Sequence, residues 1–263
     1  INYTVTGTDA ATGCSNTAVQ SISVNALPPV TTNATSTVIC FGKTTTINAG
    51  GATTYTWNTG PTGNSIVVSP LSNLNYSVVG TSAATGCSNA AVQSISVNAL
   101  PLVTTSANST VICLGNTATI TANGASTYLW NTGSNSNTIA VSPAANLNYT
   151  VTGMSASTGC SNTAVQSISV NALPTILTNA SSTVICFGNS TTITAFGAAT
   201  YSWNTGPITN SIAVSPAANF NYTVAGISAA TGCSNTAVQT IFVNPLPPVT
   251  ASAASTVICF GNT

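Results

Sequence analysis

The sequence predicts an all-β chain built from one repeated unit, and three observations carry that reading. Cys14, Cys87, Cys160 and Cys233 are each 73 residues apart, as are Cys40, Cys113, Cys186 and Cys259. The stretch Thr54-Tyr55-Thr56-Trp57-Asn58-Thr59-Gly60 returns at the same spacing as Thr127-Tyr128-Leu129-Trp130-Asn131-Thr132-Gly133 and as Thr200-Tyr201-Ser202-Trp203-Asn204-Thr205-Gly206. Within each period, six or seven short runs alternate in polarity between turn residues, with no helical periodicity. Such a pattern is that of a two-sheet β-sandwich. A unit of 73 residues is long enough to hold its own core, so the array reads as separate beads rather than one stacked core.

The repeat places the boundaries. Residues 1–27 are expected to be the C-terminal strands of a truncated unit; 28–100, 101–173 and 174–246 are complete units; 247–263 is the N-terminal strand of another. Ile1 opens inside a strand pattern and Thr263 closes at the start of one, which reads as a window on a longer array. The junctions Leu27-Pro28-Pro29, Leu100-Pro101, Leu173-Pro174 and Leu246-Pro247-Pro248 are proline-fixed, and are expected to be short and stiff.

Taken in order, Asn2 to Gly7 alternates with Tyr3 and Val5 on one face. A turn-rich loop holds Cys14, and Ala18 to Val24 returns as a second strand. Val19 and Ile22 are three apart, so either a β-bulge intervenes or Val19 is exposed. In the first complete unit, Val30 to Cys40 forms a strand broken near Asn33-Ala34, and Phe41-Gly42-Lys43 turns. Thr45, Ile47 and Ala49 share one buried face of the next strand. Tyr55 and Trp57 share a face of the strand after it, read as the central strand. Ile66 and Val68 point inward before Pro70, and Leu74, Tyr76 and Val78 begin a strand that leads to the Cys87 loop and the final Val92 to Val97.

Trp57, Trp130 and Trp203 on the third strand are therefore core residues, as are Tyr76, Tyr149 and Tyr222 on the sixth. A Trp on the third strand and a Tyr two residues before an inward position on the sixth match the immunoglobulin arrangement. The predicted fold is a tandem array of immunoglobulin-like β-sandwich domains with an exact 73-residue repeat. Ile47 and Val78 stand where antibody domains carry their inter-sheet cysteines, so any disulfide lies outside the core.

Composition narrows function. The chain has one Lys (Lys43), one Asp (Asp9) and no Glu, Arg or His. General acid–base catalysis needs a titrating group, and none recurs in the repeat. A Ser or Thr nucleophile lacks a histidine base. Calcium sites want several carboxylates, and nucleic acid wants Lys or Arg. No enzyme, catalytic residue, cofactor, metal or nucleic-acid partner is expected. With 43% hydrophobic residues the chain is not of disordered composition, and its apolar runs are interrupted well short of a membrane span. No signal-peptide or sorting-tail pattern is present.

Eight evenly spaced cysteines without a CxxC pair suggest disulfides in an oxidising compartment rather than a metal site. In a sandwich with strands running alternately up and down, Cys40 and Cys87 fall at opposite poles. The lower pole of one domain meets the upper pole of the next in a head-to-tail array. Bonds are thus expected across junctions, Cys40 with Cys160 and Cys113 with Cys233, leaving Cys14, Cys87, Cys186 and Cys259 with outside partners or none. The alternative is a bond within each domain, such as Cys40 with Cys87.

The series TVIC-x-G…TTI-x-A-x-G…Y-x-W…NYTVTG…TGCSN…V-x-LP resembles the Ig-like and PKD-like repeats of Bacteroidetes surface proteins, over the whole chain. That resemblance implies long secreted proteins, often exported by the type IX system, among them adhesins and gliding-associated proteins whose repeats act as stalks. It implies no catalytic residues. The expected function is a structural segment of an extracellular stalk or filament that spaces or displays adhesive domains at the cell surface. The alternative is a repetitive carbohydrate- or surface-binding adhesin module acting by avidity, with a glycan or surface as ligand. A formal net charge of zero also favours self-association into filaments or bundles, nearly insensitive to ionic strength.

Overall fold

Strand alternation decides the architecture of the computed structural model, which describes residues 1–252 together with 257 and 260. The chain begins with an antiparallel hairpin, β1 (Asn2–Thr8) and β2 (Ser15–Ser21). Seven strands follow: β3 (Thr31–Ala34), β4 (Val38–Cys40), β5 (Thr45–Gly50), β6 (Thr54–Trp57), β7 (Ser65–Val68), β8 (Leu74–Thr81) and β9 (Ser88–Asn98). The set recurs as β10 (Thr104–Ala107), β11 (Val111–Cys113), β12 (Ala118–Asn123), β13 (Thr127–Trp130), β14 (Thr138–Val141), β15 (Leu147–Met154) and β16 (Ser161–Asn171). It recurs again as β17 (Leu177–Ala180), β18 (Val184–Cys186), β19 (Thr191–Phe196), β20 (Thr200–Trp203), β21 (Ser211–Val214), β22 (Phe220–Ile227) and β23 (Ser234–Asn244).

Each set makes a three-stranded sheet, β3-β5-β7 in the first, and a four-stranded sheet, β4-β9-β8-β6. The chain is a tandem array of immunoglobulin-like sandwiches with a 73-residue repeat. Two compact units divide it: Ile1–Thr104, Ala122–Asn137 and Val151–Ala164 in one, Thr105–Thr121, Thr138–Thr150 and Val165–Thr263 in the other. The first holds the β3–β9 sandwich whole, and the second holds β17–β23 whole.

In the first sandwich one cluster buries Ile39, Ile47, Ala49, Tyr55, Trp57, Ile66, Tyr76, Val78 and Ile95. Ile47 and Val78 are wholly buried, and Trp57 is 2% exposed. The third sandwich repeats the cluster as Ile185, Ile193, Ala195, Trp203, Ile212, Tyr222, Val224 and Ile241, joined by Ile176. Trp130, Tyr149 and Val151 are buried in the middle repeat. Each indole satisfies its N–H locally, Trp57 Nε1 donating to the Gly63 carbonyl at 2.9 Å and Trp203 Nε1 to that of Thr209 at 2.9 Å. Tyr55 donates to the Ala52 carbonyl (2.8 Å) and accepts from the Ala52 N–H (2.8 Å), so its hydroxyl closes its own turn.

Two details differ from the sequence reading, and one choice that it left open is decided. The Trp strand is an edge strand of the four-stranded sheet, not its centre; the indole reaches the core because it points inward from that edge. The first strand breaks at residues 35–37, just past Asn33-Ala34, and its halves join different sheets: β3 pairs with β5, while β4 pairs parallel with β9. No bulge interrupts β2 or β9, whose pairings are continuous. Val19 is simply exposed, at 59%, as are Val92, Val165 and Val238.

Burial of Tyr76, Tyr149 and Tyr222 pushes their hydroxyls above the usual tyrosine value of 10.0, because the phenolate would be poorly solvated. The folded state therefore keeps the proton longer than the unfolded chain. This contribution is present below pH 10.0 and is lost as pH rises through the raised folded values. A melting temperature level through the neutral range and falling above pH 10.0 is expected. A midpoint that stays level while tyrosinate absorbance grows would contradict it. Trp57→Ala should destabilise its sandwich by about 3–5 kcal/mol through the cavity it leaves. Chemical denaturation of the variant should show one early transition, with the other sandwiches melting as before.

Candidate functional site

The chemistry-bearing groups that recur are two cysteine positions, each held by its own backbone cradle. The first follows Val-Ile at the end of a three-residue strand. In β4, Ile39 is buried, so strand alternation turns Val38 and Cys40 outward. Cys40 sits opposite Asn98 in the parallel pairing; Phe41 N–H then donates to the Asn98 carbonyl (2.9 Å), and Lys43 N–H to the Cys40 carbonyl (3.0 Å). The same bonds hold Cys113 and Cys186, from Leu114 and Phe187 to Asn171 and Asn244 at 2.9 Å each.

The second position lies in the Thr-Gly-Cys loop of the last hairpin. Ser82 N–H donates to the Cys87 carbonyl (2.9 Å) and Gly86 N–H to the Ser82 carbonyl (2.8 Å). The glycine supplies a left-handed turn, φ +69° at Gly86, where other residues would be strained. Cys160 and Cys233 sit in loops of the same geometry, closed from Ser155 and Ser228 at 2.9 Å. In the first copy Asp9 takes the serine's place, and its carboxylate accepts from Thr12 N–H, Thr12 Oγ1–H and Ala11 N–H. Those bonds, Thr12 first, stabilise the carboxylate and hold its pKa below the ordinary aspartate value.

The structure joins Cys40 to Cys160 and Cys113 to Cys233, with Cα atoms 5.6 Å apart in each bond, inside the range a disulfide requires. Both bonds link residues 120 apart, so Cys40–Cys160 spans the Pro101 junction in sequence and Cys113–Cys233 spans Pro174. Cys160 and Cys233 are 1% and 0% exposed. Cys14, Cys87 and Cys186 carry free thiols, and Cys259 lies outside the described residues. The sequence-predicted core residues Trp57, Trp130, Trp203, Tyr76, Tyr149 and Tyr222 are all buried.

A residue passed over as a loop former proves structural. In each complete repeat the Asn of the Cys-Ser-Asn run reaches the junction proline of its own repeat: Asn89 Nδ2 donates to the Pro28 carbonyl (3.1 Å), Asn162 to Pro101 (3.1 Å) and Asn235 to Pro174 (2.9 Å). Gly51, at φ +86°, completes the clamp, because a Cβ there would run into the Pro29 carbonyl. The junction is thus held by the same loop that carries the second cysteine. The fixed offset of Asn from Cys in every copy was the readable sign.

Among the described residues no cluster of His, Cys, Asp and Glu of metal-binding size occurs, and no helix is long and apolar enough to cross a membrane. Concavities are shallow, such as a groove lined by Phe187, Asn219, Val243 and Leu246 and another by Phe41, Leu71, Asn73 and Val97.

Reduction should leave the first and third sandwiches folded, since no bonded cysteine belongs to their tryptophan clusters. It should lower the unfolding free energy by up to about 5 kcal/mol per bond, the chain-entropy value for a loop of this size. Urea titration followed by tryptophan fluorescence, with and without a thiol reductant, measures the difference. Unfolding by reductant alone would show that the sandwiches depend on the bonds.

No protein-family model and no curated protein sequence matches this chain. Among solved structures, the ICAM-5 D1–D4 ectodomain fragment aligns at a TM-score of 0.41 and 10% identity, over 94% of this chain and 83% of that one. The three N-terminal domains of the bacteriophage RB49 highly immunogenic outer capsid protein (Hoc) align at a TM-score of 0.28 and 13% identity, over 83% and 99% respectively.

Proposed function

We propose that this chain is a structural segment of a long extracellular stalk or filament, one that spaces or displays adhesive domains at a cell surface. The observation that carries the reading is the pair of disulfides tying one repeat to the next at a constant separation of 120 residues. Bonds of this kind persist in oxidising compartments, and they reinforce an array rather than build a pocket. The ionisable inventory supports it too, since one Lys and one Asp in 263 residues leave no recurring acid, base or phosphate ligand. Kinship with the surface-protein repeats of Bacteroidetes belongs to the same reading.

The aromatic side chains bear on the adhesin alternative. A sugar platform wants exposed rings, yet every Trp of the repeats and Tyr76, Tyr149 and Tyr222 are buried. Tyr55, Tyr128 and Tyr201 spend their hydroxyls on their own turns.

Antibodies raised against residues 28–100 test the proposal on the cells that make the protein. Labelling of intact cells and of fibres shed from them is expected, with electron micrographs showing filaments. Labelling only after permeabilisation would overturn it. Binding of the full chain to a glycan array, without fibres, would transfer the reading to the adhesin module.

A further inference from the structure

The two disulfides cross in sequence, and the crossing changes what the chain does under tension. Cys113 lies inside the loop closed by Cys40–Cys160, and Cys160 inside the loop closed by Cys113–Cys233. Each bond is a covalent node whose two Cα atoms stand 5.6 Å apart. Three backbone segments join one node to the other: 40–113 and 160–233, of 73 residues each, and 113–160, of 47. The shortest route between the nodes is therefore the middle segment, followed backwards.

Fully extended, the 47-residue segment reaches about 165 Å and each 73-residue segment about 255 Å. When the middle segment is taut, the other two keep about 90 Å of slack. Without the bonds, the 193 residues from Cys40 to Cys233 would open to about 675 Å. The packing follows the same division. Of the buried residues in the first tryptophan cluster, only Ile39 lies outside segment 40–113. Of those in the third, only Ile241 lies outside segment 160–233. The segment that goes taut carries Ile120, Trp130, Ile139, Tyr149 and Val151, which are buried in the middle repeat.

We propose that the crossed bonds make this chain a tension-bearing tether with a fixed stop. Load applied along it is carried between Cys40 and Cys233 by residues 113–160 alone. The middle repeat gives way, lengthens by no more than its own 47-residue segment allows, and leaves the other two segments slack. The first and third cores are thereby kept out of the covalent load path. Both ends of the opened segment stay tied to their nodes, so it can close again when the load falls.

The proposal rests on the stalk reading for the source of the load, but the two fail separately: the stop is measured on purified protein, and the stalk reading on cells. The test is stretching of single full chains in optical tweezers, oxidised, with free thiols alkylated and a short tag at each end. Through the nodes, 116 residue steps separate Ile1 from Thr263, against 262 along the backbone. The oxidised chain should stop at about 400 Å, and lengthen to about 900 Å once a thiol reductant is added. Loss of one bond, in Cys160→Ser or in Cys233→Ser, should move the stop to about 500 Å in either case. Should a variant fold too poorly to form its remaining bond, slow reduction of the intact chain under load should pass through the same intermediate length. Trp130→Ala should lower the force of the largest step before the stop, and Trp203→Ala should leave that force unchanged. An oxidised chain that reaches the reduced length, a stop already at about 500 Å, or a force lowered equally by Trp203→Ala would each overturn the proposal.

Discussion

The contact between the two inward sheet faces, with Ile47 on one and Val78 on the other, is the interaction on which everything else depends. In the first sandwich Ile47, on β5 of the three-stranded sheet, and Val78, on β8 of the four-stranded sheet, are wholly buried, and the cluster around them takes in Trp57, Tyr76 and Ile95. Alternation turns these side chains to one face, and burial needs the second layer. The loop between β8 and β9 clamps the junction proline through Asn89 and carries Cys87.

With almost no charge available, this fold satisfies its buried polarity with neutral hydrogen bonds. The turn between β3 and β4 shows how closely such bonds are matched. In the first repeat the buried Thr45 donates to the Ser36 carbonyl (2.8 Å) and accepts from Ser36 N–H (3.1 Å). Thr191 does the same for Ser182 in the third. The second repeat has Ala118 there, and Asn108, standing where the first has Thr35, accepts from Thr119 N–H at 2.8 Å. The Asn108 amide thus makes the bond that the Thr35 hydroxyl makes in the first repeat, where Thr46 N–H donates to it at 3.1 Å.

Much of this was legible because the repeat prints each element several times. The inward positions at Ile47, Trp57, Ile66, Tyr76 and Val78 follow from side-chain alternation and are buried as read. Alternation states which way a residue points, not which strand lies beside it. That is why the edge position of β6 and the parallel pairing of β4 with β9 were not legible, and why Val19 left a choice between a bulge and exposure. The Cys40–Cys160 geometry could be argued only from strand direction, while Asn89 looked like any other turn former until its donor atom was placed.

The overlap of the two disulfide-closed loops has a consequence for backbone scission. Every peptide bond from Cys40 to Cys160 is bridged by one disulfide, and every one from Cys113 to Cys233 by the other. Between Cys113 and Cys160 both bridges run in parallel. A single cut anywhere in these spans severs the main chain without releasing a fragment. The one basic residue available to trypsin, Lys43, falls inside the first span. The covalent connectivity of the molecule is thus not a line but a braid, in which a severed strand remains tied on both sides of the break.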